Sequence, residues 1–305
     1  MRAVISTPTA VTRVEVRDDL PEPAPAPHEA LIAVESFSLN RGELALLGAR
    51  GPGWRPGQDI AGSVVTAARD GSGPPQGARV CALAEQGGWA ERIAVPTDRL
   101  AVIPSGVDTA KAAALPMAGR TALRTLALGG AVLGRRVLIT GAAGGVGHLQ
   151  TQLAAAAGAD VVAVTRRGSM RPSLLAAGAG VIDRVQSAEG LFDLVLEGVG
   201  GTHLRESVGR VAAGGLIVLY GASEPEPAQL TLLDFAGHEN AAIRTYFSYA
   251  NHTGIDRDLV TLTRLLQTGH LDVRLGAHAS WNKINDILDD FAAGRIDGKA
   301  VLDTD

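Results

Sequence analysis

The first hundred residues run in short steps. Extended stretches of apolar and β-branched positions at residues 3–5, 30–34, 62–67 and 92–95 are separated by Pro/Gly clusters at 21–27 and 71–77. Proline and glycine end strands, so this reads as a mostly β region. The PEPAPAP run at 21–27 is read as a stiff surface connection rather than a partner's ligand. From about residue 108 the pattern lengthens into alternating units: a helix at 108–128, strand at 136–140, helix at 146–157, strand at 161–165 and helix at 169–177. Strands at 181–183 and 192–196, a helix at 202–211 and a strand at 216–220 follow. Strands alternating with helices imply crossover connections and a parallel sheet covered on both faces. A further apolar strand is expected at 241–249, then a helix at 256–267, a strand at 274–278, a helix at 282–293 and a strand at 299–302. This tail is too short for a domain of its own. It is expected to fold back on the first region, which gives boundaries of 1–112, 113–249 and 250–305.

Composition narrows the function classes. A length of 305 residues, at roughly 150 per domain, suits two domains. With 46% apolar residues there is enough material for two cores. The net charge of −4 and a pI near 6.0 leave no global positive field, so neither nucleic acid nor an anionic membrane is an expected partner. No apolar stretch approaches the ~20 residues of a membrane span, and the N-terminus lacks the order of a signal peptide; a cytoplasmic protein is expected. Cys81 stands alone and is read as a small buried hydrophobe.

The strongest local signal is RVLITGAAGGVGHLQTQLAAAAGA, a strand, a small-residue turn from Gly141 to Gly147, and a helix. Small residues let the backbone turn tightly against a pyrophosphate, whose charge is met by free amides and the helix N-terminus. Ala142 replaces the first glycine of the usual G-x-G-x-x-G pattern, and the flanking strand, helix and later βαβ units supply the context instead. Ala143, Gly144, Gly145 and Val146 are the cofactor-binding candidates of this turn. The next strand ends Val164-Thr165-Arg166-Arg167, without the acid that would hold an NAD ribose. A guanidinium matches a 2′-phosphate with paired, charge-assisted hydrogen bonds, so NADP(H) is the expected cofactor, with Thr165, Arg166 and Arg167 at its ribose.

Several motifs occur in a family's order: Leu39-Asn40-Arg41-Gly42-Glu43, Pro56-Gly57-Gln58-Asp59-Ile60-Ala61-Gly62, Gly87-Gly88-Trp89-Ala90-Glu91, the segment Ala113 to Ala122, the glycine turn, and Gly298-Lys299-Ala300-Val301-Leu302. Over nearly its whole length the chain resembles the zinc-independent quinone oxidoreductase branch of the medium-chain dehydrogenase/reductase superfamily. The resemblance implies an α/β fold, with a GroES-like, mostly β catalytic domain and a Rossmann doubly wound parallel-sheet domain.

Zinc-carrying relatives have a Cys near Asn40 to Gly42 and a Gly-His-Glu where Gly57-Gln58-Asp59 stand. Neither is present, so no metal is expected. His148 and His203 sit near helix starts, where capping or exposed roles suit them better than ligation. The resemblance places Asn40 beside the nicotinamide as a polar substrate contact. Arg41, Glu43, Trp54 and Asp59 are weaker candidates for the cleft wall. Arg41 either donates to a carbonyl or pairs with Glu43 or Asp59, and Trp54 either caps an aromatic substrate or covers the core. By the same resemblance Thr121 reaches toward the nicotinamide, Arg184 stands where a tyrosine often touches the 2′-phosphate, and Tyr246, Phe247 and Ser248 match the segment whose backbone holds the carboxamide. Gly221, Ala222 and Ser223 end the fifth strand at the ligand-binding edge. The expected activity is NADPH-dependent reduction of quinones or α,β-unsaturated carbonyl compounds. Alternatives are a secondary-metabolite tailoring reductase or cyclase, and an NADPH-binding protein with little turnover. The 241–249 strand, apolar and at a sheet edge, needs covering, and the resemblance supplies a homodimer.

Overall fold

A computed structural model describes residues 1–7, 14–224 and 226–304. The chain divides into two compact units, Met1–Arg120 with His252–Asp305, and Thr121–Asn251.

In chain order the first unit contributes β1 (Ala3–Ser6), β2 (Val14–Arg17), β3 (Glu29–Ser38), α1 (Arg41–Ala49), β4 (Asp59–Thr66), β5 (Arg79–Leu83), β6 (Arg92–Pro96), β7 (Leu100–Val102) and α2 (Thr109–Ala113). Helix α3 (Pro116–Leu128) contains the division. The second unit adds β8 (Arg136–Ile139), α4 (Gly147–Ala156), β9 (Asp160–Val164), α5 (Arg171–Ala176), β10 (Gly180–Ile182), β11 (Phe192–Glu197), α6 (Gly201–Val208), β12 (Val211–Leu219) and β13 (Ala242–Thr245). The return consists of α7 (Ile255–Gln267), β14 (Leu275–Ser280), α8 (Ile284–Ala292) and β15 (Lys299–Asp303).

The first unit is built on a sheet ordered β14-β15-β3-β4-β5-β7, with β6 also paired to β3. All its pairings are antiparallel except β14 with β15. Its core gathers Ile32, Phe37, Ile60, Val80, Trp89 and Trp281, all fully buried. Phe37 stacks on Trp89 with centroids 5.7 Å apart and meets Trp281 edge-on at 6.4 Å. Such pairs add about 0.5–1.5 kcal/mol beyond area burial.

The second unit is a wholly parallel sheet ordered β10-β9-β8-β11-β12-β13, the 3-2-1-4-5-6 order of a doubly wound fold. Its inner strands are near-continuous apolar runs, as burial on both faces requires, and Leu138, Phe192, Val195, Val208 and Ile217 fill one side.

Three expectations change in detail. The helix expected at 108–128 is two helices, because Pro116 opens α3 and disfavours helical backbone at Leu115. Helix α1 was not expected, although Asn40 and Glu43 stand at its N-cap and third position, a start signal visible in the sequence. Strand β13 is four residues rather than nine, and all four are exposed. No helix among the described residues is long and apolar enough to cross a membrane.

Candidate active site

In the second unit every parallel strand ends at the same edge of the sheet, so topology alone gathers the segments that follow β8, β9, β10, β12 and β13. These hold the glycine turn, Thr165 to Arg167, Arg184, Gly221 to Ser223 and Tyr246 to Ser248. Gly141 adopts φ +61°, and a Cβ on Gly147 would overlap the Gly141 carbonyl oxygen and lie 2.7 Å from Ala142 Cα. The turn is fixed by hydrogen bonds from Ala142 N to Val164 O (3.1 Å) and Gly144 N to Gly141 O (2.9 Å). His148 is buried, and its Nδ1 lies 2.8 Å from Gly144 O, so the ring braces the turn. No side chain caps α4, and among the described residues no backbone carbonyl accepts from the N–H of Gly145 or Val146. Unclaimed amides at a helix N-terminus fit the pyrophosphate of a dinucleotide.

Around the turn, Thr165 Oγ1 accepts from Arg167 N at 3.0 Å, which shapes the bend after β9. Arg166 is exposed and Arg167 half-buried. Arg184 is exposed and pairs with Asp183 at 3.3 Å. Tyr246 is buried, whereas Phe247 and Tyr249 are exposed. Thr121 is buried on α3, and its carbonyl accepts from Thr125 Oγ1 at 2.7 Å. Thr125 Oγ1 in turn accepts from Gln150 Nε2, and Gln150 Oε1 from the Tyr220 hydroxyl, a buried chain that sequence reasoning did not find. Nor did it find Glu197, fully buried at the end of β11, which accepts from Thr140 Oγ1 and from Val199 N and Gly200 N. Burial pushes its carboxyl up despite these three donors.

The first unit holds the more unusual constellation. Sheet register sets Ser38, the last residue of β3, opposite Asp59, the first of β4, and also opposite Val301 of β15. Alternation then puts Lys299, two residues before Val301, on the same face as Val301. Asp59 Oδ2 accepts from Ser38 Oγ (2.8 Å), Asn40 Nδ2 (2.9 Å) and Lys299 Nζ (3.2 Å), while Oδ1 accepts from Met117 N (2.8 Å). Lys299 Nζ also donates to Leu39 O (3.0 Å) and Asn40 Oδ1 (2.6 Å), so all three of its protons are used. Glu43 Oε2 accepts from Asn40 N and Oε1 from Gln58 N, which ties the start of α1 to the segment before β4.

Asp59 is fully buried with both oxygens engaged, so it differs from the cleft-wall contact expected of it. Glu43, 1% exposed, differs likewise. The Arg41 guanidinium lies 5.7 Å from the Phe291 ring centroid. Trp54 packs against the core and donates Nε1–H to Gln86 Oε1 at 2.8 Å. Asn40 is joined to the cluster through its side chain and is partly exposed. Lys299, central here, stood in the sequence only as part of a motif. Its signal was a charge inside the apolar strand Lys299–Asp303.

Two buried carboxyls share one ammonium. Burial and the Asp59 charge push Glu43 up to about 8, against the pull of two backbone N–H groups and Lys299. A protonated Glu43 leaves Asp59 and Lys299 as a balanced pair. The folded form then keeps a proton that the unfolded chain, with the ordinary value of 4.5, releases. This contribution to stability is complete below about pH 4.5, falls by at most about 1.4 kcal/mol per unit as pH rises, and is gone above about pH 8. Glu43→Gln is expected to flatten that slope in urea denaturation. The same slope in the variant would show that another group titrates.

The donor set does not suit a zinc ion. Among the described residues no three His, Cys, Asp or Glu side chains gather to hold one, and the Asp59 carboxylate already faces an ammonium. Cys81 is buried on β5, where its thiol is pushed up to about 12, far from the thiolate that binds metal.

The strand order and the glycine turn define a dinucleotide-binding fold of the doubly wound class. The family model for zinc-binding dehydrogenases matches residues 148–302. Acrylyl-CoA reductase of Ruegeria pomeroyi is 31% identical over 68% of this chain and 69% of its own. A chloroplast envelope quinone oxidoreductase homolog of Arabidopsis thaliana is 36% identical over 47% of this chain, which spans about half (49%) of that relative's length. Among solved structures, a mycobacterial protein complexed with NADPH superposes with a TM-score of 0.89 at 22% identity, over 99% of this chain and 100% of that one. The chain belongs to the zinc-binding dehydrogenase family, within the quinone oxidoreductase branch of the medium-chain dehydrogenase/reductase superfamily.

Proposed function

We propose that the protein is an NADPH-dependent, zinc-independent reductase of quinones or α,β-unsaturated carbonyl compounds. The observation that carries the cofactor is the basic end of β9: Arg166 and Arg167 follow Thr165 where an NAD enzyme places an acid, and Arg184 follows the adjacent strand β10. The unclaimed amides of the glycine turn hold the pyrophosphate, Arg166 and Arg167 the 2′-phosphate, and the backbone around Tyr246 to Ser248 the carboxamide. When bound, a reduced nicotinamide supplies hydride to the electron-poor carbon of a conjugated carbonyl. The chain's part is to orient the substrate and to stabilise negative charge on the carbonyl oxygen, through the amide of Asn40. No side chain among the candidates is placed as a general acid, so water supplies the final proton.

The reading is tested by NADPH fluorescence on mixing and by loss of NADPH absorbance with a simple quinone and a small enone. Neutralising Arg166 and Arg167 together (to Gln) is expected to weaken NADPH by about 1.4–2.8 kcal/mol, ten- to a hundredfold, and to leave NADH nearly unchanged. Equal weakening of both would refute the 2′-phosphate assignment.

The exposed edge strand β13, flanked by the exposed Phe247 and Tyr249, supports a homodimer in which two such edges pair. Sedimentation at the mass of one chain would oppose it. A soluble, cytoplasmic protein is part of the same proposal.

A further inference from the structure

The amide of Asn40 is gripped at both ends. Oδ1 accepts from Lys299 Nζ at 2.6 Å, Nδ2 donates to Asp59 Oδ2 at 2.9 Å, and Lys299 Nζ reaches that same Asp59 oxygen at 3.2 Å. These four atoms close a ring. Closure requires that the Nδ2 hydrogen given to Asp59 be the one on the Oδ1 side of the amide. The second Nδ2 hydrogen therefore points away from the ring, and no protein acceptor takes it among the described residues. Asn40 is partly exposed, whereas Asp59, Lys299 and Ser38 around it are buried.

The charges also set the sense of the amide. Turned over, it would put its NH2 against an ammonium and its carbonyl against a carboxylate, inside a buried cluster where neither clash is screened. An asparagine side chain without such partners presents oxygen or nitrogen with nearly equal ease.

We propose that the Lys299–Asp59 ion pair is a positioning device that locks the Asn40 amide with one N–H directed outward, as the donor for the carbonyl oxygen of the substrate. The inference rests on the reductase reading above. Asn40 touches the substrate; Lys299 and Asp59 act through it. A donor fixed before the reaction meets the growing negative charge without reorganising, and it cannot rotate to offer its own oxygen to that charge.

The test combines kinetics with side-chain NMR of the full-length protein. Lys299→Met leaves Asp59 without its cation and endangers folding, so Lys299→Met is also combined with Asp59→Asn, which removes both charges. Asn40→Ala is expected to lower kcat for NADPH oxidation with an enone about 100-fold, with NADPH affinity within about twofold of wild type. The Lys299→Met/Asp59→Asn protein should lose about as much, and should lose nothing further when Asn40→Ala is added, because both changes remove one function. Lys299→Arg should keep most of the rate.

In the wild-type spectrum, the Asn40 amide signals, assigned by their loss in Asn40→Ala, should show one proton protected from water and one exchanging. In the charge-free double variant both should exchange. A folded double variant with wild-type kcat, or losses that simply add, would overturn the proposal, as would two equally exchanging amide protons in the wild type. Wild-type protein that binds NADPH, shows the protected proton and reduces no quinone or enone would sink the reductase reading and the donor role with it, while upholding the locked amide.

Discussion

Lys299→Met is expected to cost the fold about 3–5 kcal/mol, read as a lower urea midpoint at unchanged slope. The mutation removes the one cation bonded to Asp59 among the described residues and leaves a fully buried carboxylate beside the carboxyl of Glu43. It also strips a donor from Leu39 O and from Asn40 Oδ1, so the turn between β3 and α1 keeps its backbone bond to β15 but loses its side-chain ties to it. A buried ion pair is weak evidence for stability as a pair, because desolvation offsets its attraction; the large loss comes from orphaning one member. Lys299→Met/Asp59→Asn is therefore expected to recover most of the midpoint. If the single variant were as stable as wild type, the cluster would be reached by water and the account of Glu43 would fail with it.

Gly147→Ala is the second. The added methyl would overlap Gly141 O and crowd Ala142 Cα, and both belong to backbone that cannot yield without opening the turn. Overpacking of this kind costs about 1–3 kcal/mol, and the same displacement moves the amides of Gly145 and Val146 that are proposed to hold the pyrophosphate. Dinucleotide binding by fluorescence is expected to weaken at least about tenfold for NADPH and NADH alike. That pattern separates it from the arginine variants, which should discriminate between the two. Undiminished binding in the folded variant would move the cofactor away from this turn.

The two predictions probe different layers of what the sequence held. The glycine turn was legible because its chemistry is local: a strand, a run of small residues and a helix fall within 24 consecutive residues, RVLITGAAGGVGHLQTQLAAAAGA. The parallel sheet was legible for a similar reason, since regular alternation of strand and helix leaves few topologies. The ends of elements were less so. Leu115 reads as helical by composition until Pro116 is considered, and α1 is masked by glycine at residue 42 unless Asn40 and Glu43 are read as a cap.

The charged cluster was not legible in this way. Asn40, Asp59 and Lys299 are 19 and 240 residues apart along the chain, and no local pattern distinguishes a buried lysine from a solvated one. The sequence by itself determined the doubly wound sheet and the small-residue turn at the start of its first helix, because hydrophobic period and backbone permissiveness act over a few residues. Only the tertiary structure decided that Asp59 and Glu43 lie inside, that Lys299 joins them and that one edge of Asn40 is left outward. Those outcomes follow from the register of β15, β3 and β4, and register sums packing choices along three separated strands.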